Sequence, residues 1–131
     1  METITTDSVT FFLDRFCGLD DGVLRRIDFS WDGKGMKHAV VCVSVMDKAE
    51  EYKWKNLVLA FRNVVEIVFR EGNATCQVLS NGMQVAWFGK TVCAALSPFT
   101  CDSVTFEEFQ ASDFYILCET ISWRVQEYSE N

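Results

Sequence analysis

The stretch WKNLVLAFRNVVEIVF, residues 54–69, is the most concentrated apolar run of the chain and constrains its fold more than any other feature. Leu57, Leu59 and Phe61 alternate with Asn56, Val58, Ala60 and Arg62, the two-residue period of a strand with one wholly buried face. The run resumes with Val65, Ile67 and Phe69 on one side and Val64, Glu66, Val68 and Arg70 on the other, which predicts a second strand. Asn63 between them marks either a bulge or a tight bend, because asparagine tolerates left-handed backbone angles. One buried helix over 54–69 is the alternative, since apolar runs of this length are ambiguous. The five valines and isoleucines in it weigh against that alternative.

Before this run, Thr6 or Asp7 can cap a short helix whose stripe is Val9, Phe12, Leu13 and Phe16, with Phe11 off the stripe and Gly18 as its stop. From Val23 the period becomes two: Ile27, Phe29 and Trp31 face one way, and Arg26, Asp28, Ser30 and Asp32 the other. Asp32-Gly33-Lys34-Gly35 supplies turn chemistry, and Ala39, Val41, Val43 and Val45 follow on one face, so a β-hairpin is expected over 23–46. The charged segment 47–53 reads as a solvated loop, with Glu50, Glu51, Lys53 and Lys55 in water.

After the run, Gly72-Asn73 closes the central pair, and Asn81-Gly82 predicts a hairpin between 76–79 and 83–88. Gly89-Lys90 turns the chain into 91–96, and Ser97-Pro98 ends the block. Asn73-Ala74-Thr75 matches a glycosylation sequon but reads as a turn in a chain without an export signal. Thr105 and Glu108 have the spacing of a capping box for a brief helix with Phe106 and Phe109 inward. The segment 113–128 reads as a long closing strand, buried on both faces early and on one face late, with a bulge near Glu119. A helix over 122–128 is its alternative.

At 131 residues, 49% of them hydrophobic, with one proline and no repeat, the chain is expected to form a single domain over 1–131. The opening METITTDSV lacks the basic start and apolar block of a secretory signal, and no uncharged apolar run reaches membrane-spanning length, so a cytoplasmic protein without membrane contact is expected. Six cysteines, at 17, 42, 76, 93, 101 and 118, contain no CxxC pair, which argues against zinc. Cys42, Cys76, Cys93 and Cys118 read as reduced core residues, Cys17 and Cys101 as exposed.

The net charge of −7 is unevenly placed: residues 1–21 carry five acids and one base, residues 98–131 seven acids and one base, and residues 22–97 ten bases against seven acids. Such a balance disfavours nucleic-acid binding and permits a basic protein partner. Asp20, Asp21, Glu107, Glu108 and Asp113 are the candidate partner-binding acids. Each pair also has a plain local role, Asp20-Asp21 in a turn before Gly22 and Glu108 in the capping box. No GxSxG, HExxH, P-loop or GxGxxG spacing occurs, and the one histidine, His38, lies on the surface parity of its strand, which Cys42 shares. No catalytic, metal-ligating or cofactor-binding set is assigned, and the chain reads as a non-enzyme.

At Asp21-Gly22-Val23-Leu24-Arg25-Arg26-Ile27, followed by Leu59-Ala60-Phe61-Arg62-Asn63-Val64 and by Ser112-Asp113-Phe114-Tyr115-Ile116 with Ile121-Ser122-Trp123, the chain resembles a group of small bacterial β-rich proteins, largely uncharacterised. Some of that group are immunity proteins of toxin systems, which bind and block a partner toxin. Many have histidine before the turn aspartate, where this chain has Asp20.

Together these readings predict a β-rich α+β domain, an antiparallel sheet or two-layer sandwich of about seven or eight strands with an N-terminal helix and a short late helix. The expected function is non-enzymatic binding, in its sharpest form an immunity-like inhibitor of a basic toxin domain. The alternatives are a β-fold that holds a small apolar ligand, or a subunit of a larger assembly.

Overall fold

A computed structural model describes residues 1–70, 78–96, 98 and 105–127. It is β-rich, with strands β1 (Glu2–Thr3), β2 (Gly22–Trp31), β3 (Lys37–Asp47), β4 (Lys53–Phe69), β5 (Val78–Leu79), β6 (Met83–Phe88), β7 (Thr91–Leu96) and β8 (Phe114–Glu127), and helices α1 (Val9–Arg15) and α2 (Phe106–Gln110). All strands join one antiparallel sheet in the order β5-β2-β3-β4-β8-β7-β6, and β1 adds to the free half of β8. β5 and β6 stand at opposite ends of that order yet are joined by only Ser80, Asn81 and Gly82. A connection so short forces the sheet to coil until its two ends meet, giving a near-barrel.

The run at 54–69 forms neither two strands nor a helix: β4 is one strand of 17 residues. Asn63 is its irregular point, with φ 54°, and the register against β8 slips by one residue between Val64 and Glu66. Opposite, the inward parity of β8 switches from Ile116 and Cys118 to Ile121 and Trp123 across Glu119, whose Oε2 accepts from Asn63 Nδ2 at 2.8 Å. The extra residue thus lies on β4, while Glu119 braces the kink. Val65 is exposed because the bulge turns it outward, and Trp54, opposite Met46, and Phe69, opposite Phe114, are exposed near the two ends of β4.

Leu57, Leu59 and Phe61 of β4 meet Ala39, Val41, Val43 and Val45 of β3 and Ile116 and Ile121 of β8 in the interior, all buried. The valine face and the hairpin over β2 and β3 match expectation. The segment after β3 does not: Asp47 is buried, its Oδ1 accepts from Ala49 N at 3.0 Å, and a 3-10 turn over Lys48–Glu50 follows. Asn81-Gly82 does turn the chain, but no hairpin forms across it, since β5 pairs with Gly22 and Val23 of β2 while β6 pairs with β7. Cys76, Cys101, the Gly72-Asn73 turn, the sequon, Ser97 and Tyr128 lie outside the described residues.

Helix α1 starts at Val9 with Ser8 as N-cap, not Thr6 or Asp7, and the Ser8 side chain accepts instead from Thr5 N at 2.9 Å. Its Phe12 and Phe16 pack edge-on to each other and against Trp123, with centroids 5.3 to 5.4 Å apart. A 3-10 turn over Cys17–Leu19 ends it, with Gly18 at φ 66°. The expected capping box of α2 is present, Thr105 Oγ1 accepting from Glu108 N and Glu108 Oε1 from Thr105 N, both at 3.2 Å. α2 sets Phe106 and Phe109 on a second cluster outside the barrel, with Phe88, Cys93, Ala95 and Tyr115. β8 keeps its strand through Glu127, which removes the helical alternative for 122–127.

Candidate functional site

Because residues paired across an antiparallel sheet share a face, the register fixes which side chains of β2, β3, β4 and β8 point away from the barrel interior, although Ser44, Asn56, Val58, Ala60 and Ser122 among them are buried. One outward row is Ser30, His38, Arg62 and Thr120; the next is Asp28, Val40, Ala60 and Ser122. Then come Arg26, Cys42, Val58 and Arg124, and finally Val23, Ser44, Asn56 and Gln126. Arg25 is the bulge residue of β2 and also turns outward, its Nε donating to Ser44 Oγ at 2.9 Å. This face therefore gathers Arg25, Arg26, Arg62 and Arg124, from segments that are far apart in the chain. Arg26 is joined to Asp28 at 2.6 Å on the exposed surface. Cys42, expected in the core, is half-buried here; burial pushes its thiol up, while Arg25, Arg124 and Arg26 pull the other way.

At one end of this face the β2–β3 hairpin outruns the barrel. Ile27 packs against the core, but Phe29 and Trp31 on the same parity are 36% and 61% exposed, and Met36 in the turn is exposed too. The turn itself is rigid. Asp32 Oδ1 accepts from Lys34 N at 2.8 Å and Met36 N at 3.0 Å, and His38 Nε2 lies 3.1 Å from Asp32 Oδ2. These bonds, the Lys34 amide first, hold the Asp32 carboxyl below the usual carboxylate range. His38 Nδ1 accepts from Asn63 N at 3.4 Å, so its Nε2 carries the proton and the ring ties the hairpin turn to the kink of β4. Cys42 lies two rows further along the same face, about 13 Å from His38 at the usual strand rise.

The acids chosen from sequence fall in two places. Asp20 and Asp21 follow the 3-10 turn, against the β5–β6 connection: Asp21 N donates to Leu79 O at 3.0 Å, and the Asp20 carboxylate lies beside Gly82. Glu107 and Glu108 are on α2, Glu108 within the capping box, and the Asp113 carbonyl accepts from Arg70 N at 2.7 Å. The basic face is what sequence reasoning missed. Its signal was present only as the adjacent Arg25-Arg26, since nothing in the sequence aligns Arg124 with them before the strand register is known.

Among the described residues no group of three or more histidines, cysteines, aspartates or glutamates is placed to hold a metal ion, and no helix is long and apolar enough to cross a membrane. Fold and surface define a coiled antiparallel near-barrel with a filled interior and a basic, partly apolar outer face. Comparison of the chain with protein-family models, with curated proteins and with solved structures finds no match.

Proposed function

We propose that this chain is a non-enzymatic binding protein that docks on another protein through the far end of its β2–β3 hairpin. One observation carries the reading: Phe29 and Trp31 form an edge-on pair, centroids 5.0 Å apart, held open to solvent on a rigid hairpin. Pre-ordered aromatic side chains lose little entropy on docking and are the commonest anchors of protein interfaces. Lys37, paired with Trp31 across the hairpin, and Lys34 in the turn favour a partner with an acidic rim. An immunity-like inhibitor, which blocks a toxin domain by covering it, is the sharpest form of this reading.

The version drawn from charge alone places the contact at Asp20, Asp21, Glu107, Glu108 and Asp113, against a basic toxin domain. The hairpin is preferred because Glu108 is committed to its capping box and the five acids are divided between two places. A small apolar ligand held inside the barrel is disfavoured by the side chains that occupy it, Phe12, Phe16, Leu57, Leu59, Phe61 and Ile121 among them.

The test places a photo-crosslinking amino acid at position 31 or, separately, at position 107, in cells of the source organism. A single protein adduct from position 31 that disappears with Phe29→Ala is the expected result. An adduct from position 107 alone would return the contact to the acidic surfaces, and none from either position would overturn the docking reading.

A further inference from the structure

Along β2 the backbone alternates its bonding direction. Asp32 N donates to Met36 O at 2.9 Å, so Ser30, Asp28 and Arg26, paired with β3 on the same parity, also turn their amides and carbonyls toward it. Those of Ile27, Phe29 and Trp31 therefore point the other way. β5 covers that edge only at Gly22 and Val23, and among the described residues nothing bonds the edge from Ile27 to Trp31. We propose that this edge pairs with the same edge of a second copy of the chain, antiparallel, about a two-fold axis at Phe29.

The open stretch is complementary to itself. With Phe29 opposite the partner's Phe29, Ile27 falls opposite the partner's Trp31, and the edge-facing amides and carbonyls can close about six hydrogen bonds. Side chains agree with this register. The apolar face pairs phenylalanine with phenylalanine and isoleucine with tryptophan, while the other face sets Arg26 opposite the partner's Asp32 and Asp28 opposite the partner's Ser30. Arg26, exposed and 2.6 Å from its own Asp28, thereby gains a second carboxylate. Sliding one strand by two residues sets Asp28 against an acid, the partner's Asp28 in one direction and the partner's Asp32 in the other. Both slips oppose like charges, so charge favours the register centred on Phe29.

The strand is ready to pair. Its turn is fixed by the Asp32 bonds to Lys34 N and Met36 N, so little backbone is left to order. From Arg26 to Trp31 there is no proline and no lysine, and the β2 bulge lies before the stretch, so the usual guards against edge pairing are missing from it. An edge this short buries less than a standard interface, which makes the dimer weak and reversible. The inference is separate from the docking reading, which uses the open faces of the Phe29 and Trp31 rings. Edge pairing sets the two aromatic pairs side by side on one face.

Sedimentation equilibrium of the purified full chain, with no other protein present, tests the pairing over about 5–500 µM. A monomer–dimer equilibrium with a Kd on the order of 10–100 µM is expected. Amide hydrogen exchange at the two ends of this range locates the contact. The Ile27, Phe29 and Trp31 amides should exchange at least about tenfold more slowly at the high concentration, while those of Asp28 and Ser30 stay unchanged. Phe29→Pro removes an edge N–H without touching a bond to β3, at a position of the kind that accepts proline. It should weaken the dimer at least about thirtyfold and Phe29→Ala less than about tenfold. Arg26→Glu should weaken it by about tenfold at low salt and by less at high salt. A monomer throughout would overturn the proposal, as would a dimer that leaves the three edge amides unprotected or a Phe29→Pro variant that dimerises like the parent. Every one of these results is read on the chain alone, and in the crosslinking test two joined copies run at twice the chain mass, so failure of the dimer and failure of docking are told apart.

Discussion

The Arg15 guanidinium grips the Asp47 carboxylate through two parallel hydrogen bonds, Nε to Oδ1 and Nη2 to Oδ2, each 3.0 Å long. This pair joins α1 to the end of β3. Asp47 is fully buried, and the guanidinium lies 4.9 Å from the Phe16 ring centroid and 5.4 Å from that of Trp123. The carboxylate has thus exchanged water for a fork of charged donors, and the helix is locked over the barrel by it.

Removing one member of this pair should strand the other. Arg15→Met leaves a buried carboxylate without its counter-charge and is expected to lower stability by about 2–3 kcal/mol, below the full cost for a buried pair because Arg15 is partly exposed. Urea midpoints with an unchanged slope would check this. The Arg15 hydrogen bonds hold the Asp47 carboxyl below its ordinary value. The stabilisation is therefore complete above the unfolded value near about 3.9 and is lost as pH falls through the lower folded one. Asp47→Asn should flatten the acid limb of a stability-versus-pH curve, and an acid limb as steep as the parent's would contradict this.

Two glycines with left-handed backbone should respond differently to alanine. Gly35, at φ 79°, has nothing within 4 Å of an added Cβ, so Gly35→Ala should cost only the strain of about 1 kcal/mol. At Gly82, φ 63°, the same carbon would stand 2.2 Å from the Gly18 carbonyl oxygen and 2.4 Å from Asp20 Oδ1. Gly82→Ala should therefore cost at least about 3 kcal/mol, because backbone on one side must move where the two sheet ends meet. Equal thermal shifts for the two variants would refute this account of the closure.

Cysteine reactivity should follow burial. Cys93 and Cys118 are fully buried on opposite faces of the sheet, and burial pushes both thiols up to about 12. A thiol reagent followed by peptide mapping at pH 8 should label Cys17 and Cys42, which are half-buried, before either of them. Cys93 and Cys118 should be labelled only at the rate of global unfolding.

Asn63 should prefer glycine to valine as its replacement. At φ 54° a β-branched side chain is strained, so Asn63→Val should destabilise by about 1–3 kcal/mol, while Asn63→Gly should lose mainly the bond to Glu119. Thermal melts of the two variants decide the order.

Trp31→Ala should change stability by no more than about 0.5 kcal/mol, since the ring is exposed, as a urea or thermal melt would show. A large loss of stability would mean that the aromatic pair serves the fold.

Most of the fold is legible in local pattern. The alternation in β2, β3 and the first half of β4, the capping box of Thr105 and Glu108, and the doubly apolar start of β8 each follow from side-chain period and cap chemistry over a few residues. The errors cluster where one residue changes the pattern. Val65 as an extra residue turns β4 outward, and Asp47 reads as solvated until its distant counter-charge is known. The hairpin expected across Asn81-Gly82 fails because β5 pairs with the distant β2, while β6 pairs with β7, the strand that follows it.

The sequence by itself determined that this chain would build antiparallel strands around one buried apolar face, because periodicity and burial are local properties of the chain. Only the tertiary structure decided that the sheet coils until β5 and β6 meet. It also decided that Arg25, Arg26 and Arg124 share a face and that Phe29 and Trp31 stand beyond the barrel. Those outcomes depend on strand register and length, and these are set by pairings between residues far apart in the chain, Glu2 with Trp123 among them, which no local period records.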